Sequence, residues 1–85
     1  MTFTREVTIT DSTAIDRVWY SPSEHRLRIR FPITQSIWEY EKIWPREFGQ
    51  LVAAHSPGKY FNTRLRNREP RHRVIFNLNG THGQE

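Results

Sequence analysis

Between His55 and Arg73 the chain carries six cationic side chains, Lys59, Arg64, Arg66, Arg68, Arg71 and Arg73, against one acid, Glu69. Residues 1–58 hold seven Lys or Arg and seven Asp or Glu, so the net charge of +4 on this 85-residue chain is concentrated in one segment. Arg outnumbers Lys eleven to two. A guanidinium forks onto phosphate or carboxylate and stacks on planar groups, which an ammonium does not. A local cationic excess draws anions, with nucleic acid the first expectation, acidic protein the second and anionic lipid the third. The bland reading of the same residues is a solvated face.

Single-stranded nucleic acid is held by rings stacked beside cations that track phosphates. Three positions could supply rings. Trp19 alternates with Val18 and Tyr20 and so falls on the opposite strand face, a candidate stacking platform or partner anchor. Trp38 and Tyr40 share a face and read either as core or as stacking rings, with packing the favoured role. A second arginine group, Arg26, Arg28 and Arg30, has Glu39 and Glu41 on the next strand as cross-strand partners.

Catalysis needs a constellation, and the chain offers isolated parts. His55 adjoins Ser56, but Ser56 reads as a helix cap, and a nucleophile would still need an orienting group and an oxyanion site. His25, His55, His72 and His82 lack the short spacing of common metal sites, and there is no cysteine. The expectation is a non-enzymatic protein without metal or cofactor. No apolar run approaches the roughly 20 residues of a membrane span, and no signal peptide is evident, so a cytoplasmic home without membrane contact is expected.

The elements that must position these residues follow from periodicity. Phe3, Val7 and Ile9 suggest a strand, and Ile15, Val18 and Tyr20 a second, with "SPSEH" as the turn after it. "RLRIRF" alternates Leu27, Ile29 and Phe31 against three arginines, the pattern of a half-buried strand, and "SIWEYE" returns after "PITQS". Phe48, Leu51 and Val52 recur at helical spacing after Pro45. Ser56 and Pro57 start a second helix, with Tyr60 or Phe61 and Leu65 on its apolar seam. Val74, Phe76 and Leu78 alternate as a last strand that covers the sheet or joins two copies as a homodimer. The predicted fold is α+β, an antiparallel meander packed against helices near 45–55 and 57–66, in one domain over 1–79 with a polar tail over 80–85.

Ser12-Thr13-x-Ile15, Tyr20, "LRIRF", the aromatic-x-aromatic "WEY", "WP", a helix and "HSPGKYFNTRLR" together resemble the KTSC domain, named for the C-terminus of some lysyl-tRNA synthetases. The resemblance spans roughly residues 12–68. Trp38 stands where the family's central motif commonly has Tyr, and Trp19 where Gly is usual. The family is small, widespread in bacteria and their phages and often stand-alone, and an RNA-binding role has been proposed for it. The resulting expectation is RNA or other nucleic-acid binding through Lys59, Arg64, Arg66, Arg68, Arg71 and Arg73, with Trp19 as an aromatic addition. The alternative is a protein-interaction or inhibitor module, phage-encoded in one version, that uses Trp, Arg and the C-terminal strand on an acidic protein.

Overall fold

The computed structural model describes residues 3–10 and 12–74. They form the α+β fold that periodicity predicts. Five strands, β1 (Arg5–Thr8), β2 (Arg17–Ser21), β3 (Arg26–Phe31), β4 (Ser36–Tyr40) and β5 (Arg71–Val74), make one antiparallel sheet in sequence order. The β4–β5 connection carries α1 (Pro45–Ala53) and α2 (Pro57–Tyr60), and α2 runs directly into a π-helical turn, Phe61–Leu65.

Register turns strand alternation into two different faces. Val18 pairs with Ile29 and Ile29 with Trp38, while Tyr20 pairs with Leu27 and Leu27 with Tyr40. These residues face the helices, and Val18, Leu27 and Ile29 are fully buried there. Phe48, Leu51, Phe61 and Leu65 close the core from the helical side. Each fully buried Leu or Ile contributes about 1.5–3 kcal/mol relative to exposure. Tyr20 adds a polar anchor: its ring stacks on Phe48 at 4.6 Å, and its hydroxyl donates to the Ile43 carbonyl at 2.6 Å.

Local chemistry sets where elements begin. The β2–β3 and β3–β4 turns place His25 (φ 56°) and Gln35 (φ 55°) in the left-handed region, and each closes with a backbone hydrogen bond, to Ser21 and Pro32 respectively. At the start of α1, the Trp44 N–H donates to the Glu47 carboxylate at 3.0 Å, which satisfies one of the helix's orphan donors. At α2 the Ser56 hydroxyl accepts from the Lys59 N–H at 3.3 Å, the cap expected from Ser-Pro. Ser12 binds its own loop, accepting from the Ala14 and Ile15 N–H groups at 3.1 and 3.3 Å. Gly58 lies against that loop: a Cβ there would sit 3.3 Å from Ala14 Cβ. The Ser12 and Gly58 positions of the family-like motif therefore hold the 12–15 loop against α2.

The opposite sheet face has a different character. Glu39, 1% exposed, accepts from Arg28 Nε at 2.7 Å and Arg26 Nη1 at 3.1 Å, with His72 Nε2 at 3.5 Å. Arg30 pairs with Asp16 of the β1–β2 connection, and Arg17 with Glu6 at 3.4 Å. Of the expected last strand, β5 ends its described part at Val74, and Phe76 and Leu78 lie outside the described residues.

Candidate functional site

On the helix-facing side, the inward rings of β3 and β4 gather beneath the π turn. Phe31 ends β3, and Trp38 and Tyr40 lie on β4 beside it. Phe61, the first residue of the π turn, leans over them, with ring centroids 5.0 Å from Phe31 and 5.7 Å from Tyr40. A pocket of about 460 Å³ opens among these four rings, with Ile33 and Thr34 of the β3–β4 turn on its rim. Its wall is mainly carbon, and Arg66 and Arg71 supply its cationic groups. That volume lies within the roughly 300–1,000 Å³ typical of small-ligand sites.

The two arginines arrive by different routes. Arg71 opens β5 directly opposite Tyr40, so its side chain shares the inward face; its guanidinium lies 6.0 Å from the Trp38 ring centroid and donates to the Arg66 carbonyl. Arg66 follows the π turn, and its N–H donates to the Phe61 carbonyl at 2.8 Å, five residues back. In an α-helix, residues five apart diverge around the axis by about 140°. The wider π turn stacks them instead, bringing Phe61 and Arg66 to one pocket. Burial raises the Tyr40 hydroxyl pKa above the ordinary tyrosine range, while Arg71 and Arg66 act in the opposite direction, so both cations act on this ring's hydroxyl.

The predicted site residues separate into groups. Arg66 and Arg71 line the pocket. Arg73 is paired with Trp38 across the β4–β5 ladder and is exposed on that same face. Lys59 and Arg64 are exposed on the adjoining helical segment, and Arg64 lies over the Tyr60 ring at 5.7 Å. Arg68 serves the scaffold: it binds the Glu47 carboxylate and donates to the Lys42 carbonyl at 3.0 Å. Trp19 is not brought to the group. It is paired with Glu6 and Arg28, half-buried on the opposite sheet face, as strand alternation requires.

The sequence reads Trp38 and Tyr40 either as core or as site; Tyr40 is buried, Trp38 is half-buried, and both line the pocket. Phe31, Phe61, Ile33 and Ala14 complete it, and none stood out by type or spacing as a binding residue. The available signal was an excess of rings at one end of the inward face. On the other face, Glu39, Glu41 and His72 bring ligand atoms within 4.8 Å of one another. Both oxygens of Glu39, the buried member of this cluster, are engaged by arginine, so that carboxylate is already charge-compensated.

Among the described residues no helix is long and apolar enough to cross a membrane. No curated protein matches the sequence significantly. The crystal structure of a KTSC domain protein from Yersinia pestis is similar, with a TM-score of 0.76 at 18% identity over 84% of this chain and 97% of that one. At that identity the likeness concerns the fold alone. The KTSC domain model matches residues 11–68, more than half of the sequence and including β2 to β4, both helices and the π turn, so the chain belongs to the KTSC domain family.

Proposed function

We propose that the protein is a non-enzymatic module that binds single-stranded nucleic acid, RNA foremost, along the helix-facing surface of its sheet. The observation that carries this reading is the conjunction of an aromatic pocket with Arg66 and Arg71 at its edge. Exposed Lys59, Arg64 and Arg73 extend the cationic track beyond it. Rings that stack bases and cations that follow phosphates are the two ingredients of single-strand recognition. Arg68 and Trp19 drop out of the proposed surface, the first because it is tied to Glu47 and the second because it faces away.

The test is binding of short single- and double-stranded RNA and DNA across a salt series, comparing the parent with an Arg64→Ala, Arg66→Ala, Arg73→Ala variant. Each lost phosphate contact should flatten the log–log salt slope by about 0.7 for a single strand. Equal binding by both proteins, or no binding by the folded parent at low salt, removes this reading. A protein-interaction module then takes its place.

A further inference from the structure

We infer that the pocket is a subsite for one unstacked nucleotide, with the base lying among Phe31, Trp38, Tyr40 and Phe61 and its phosphate held between Arg66 and Arg71. This deepens the nucleic-acid reading and rests on it. The recognised chemistry is a planar heterocycle joined to a phosphate, whether the nucleotide is free or part of a strand. Aromatic and aliphatic carbon lines the cavity and would contact a ring, but cannot compensate a buried anion. The two guanidinium groups supply that compensation on the cavity's own lining, and the Arg71 side chain is fixed through its hydrogen bond to the Arg66 carbonyl.

Shape adds selectivity. A base inside a duplex has neighbours above and below, so it enters a pocket bounded by β3, β4 and the π turn only by leaving its stack. An unpaired residue has less stacking and pairing to lose. The π turn is the positioning device, since it sets Phe61 and Arg66 at the same opening despite their separation in sequence. Lys59, Arg64 and Arg73 do not line this pocket and would contact backbone phosphates generally.

The experiment uses the full chain with Trp19→Phe and Trp44→Phe, so that Trp38 is the sole indole reporter. AMP, UMP, the matching nucleosides and inorganic phosphate are titrated separately, alongside an unpaired RNA octamer and its duplex. The monophosphates should quench Trp38 and bind at least about tenfold more tightly than nucleoside or phosphate alone, a difference of about 1.4 kcal/mol. Arg66→Gln, an exposed substitution, should weaken monophosphate binding more than nucleoside binding and so remove most of that advantage. The octamer should compete with the monophosphate and the duplex should not. If the octamer binds with steep salt dependence but neither monophosphate perturbs Trp38, the subsite is overturned and the wider cationic surface stands. If monophosphates bind without any advantage over phosphate alone, the base pocket is likewise overturned. Failure of octamer and monophosphates together removes the subsite and the nucleic-acid reading with it.

Discussion

Arg68 belongs to the basic run by sequence and to the scaffold by contact. Its hydrogen bond to Glu47 is the main cause holding that carboxyl below the ordinary glutamate range, and Glu47 in turn accepts from the first backbone donor of α1. A depressed carboxyl pKa contributes stability above its unfolded value and loses it as pH falls through the folded value. Arg68→Ala should therefore cost about 1 kcal/mol near neutrality, with the deficit narrowing in acid as Glu47 is protonated in the parent; urea denaturation at the two conditions checks it. Tyr20 has the opposite sense. Burial, reinforced by the nearby Glu47 charge, raises its hydroxyl pKa, so its contribution is present below about pH 10 and lost as pH rises further. Tyr20→Phe leaves the buried Ile43 carbonyl without its 2.6 Å donor and should cost about 1–3 kcal/mol, read as a lower denaturation midpoint at unchanged slope.

Turns and helix ends show how much of the architecture was legible. "RLRIRF" and "SIWEYE" state their faces by alternation alone, and Ser56-Pro57 states a cap, because each depends on neighbours along the chain. The left-handed residues carry no such signal, since His25, Gln35 and Lys42 are not glycine. A left-handed non-glycine residue costs about 1–2 kcal/mol, and glycine forfeits part of that gain to chain entropy. Gln35→Gly, at an exposed turn, should consequently raise stability by about 0.5–1 kcal/mol, visible as a higher denaturation midpoint. The π turn was equally hidden: the spacing of Phe61 and Leu65 reads as an α-helical seam, and only the widened turn brings Phe61 and Arg66 to one opening. The candidate pocket was therefore legible as ingredients, Trp38, Tyr40, Arg66 and Arg71, while their meeting depends on register across β3, β4 and β5.

Across the whole molecule the sheet divides two populations of arginine. On the face away from the helices Arg17, Arg26, Arg28 and Arg30 each have an acidic partner, drawn from Glu6, Glu24, Glu39 and Asp16. On the helical side Lys59, Arg64, Arg66 and Arg73 form no ion pair among the described residues, and Arg71 meets only Glu69, at 3.7 Å. Removing a paired cation and removing an unpaired one change net charge equally, but they change the field over the pocket unequally. A nucleic acid tracking the helical side would release counterions only where its phosphates meet that field. Arg17→Gln with Arg30→Gln should therefore leave the salt slope for an RNA octamer nearly unchanged, whereas Arg64→Gln with Arg73→Gln should flatten it by about 1.4, two single-strand contacts' worth. Circular dichroism and denaturation midpoints establish that both double variants are folded before binding is compared. Equal flattening by the two variants would mean that net charge, rather than this surface, governs attraction, and the assignment of nucleic acid to the helical side would fall.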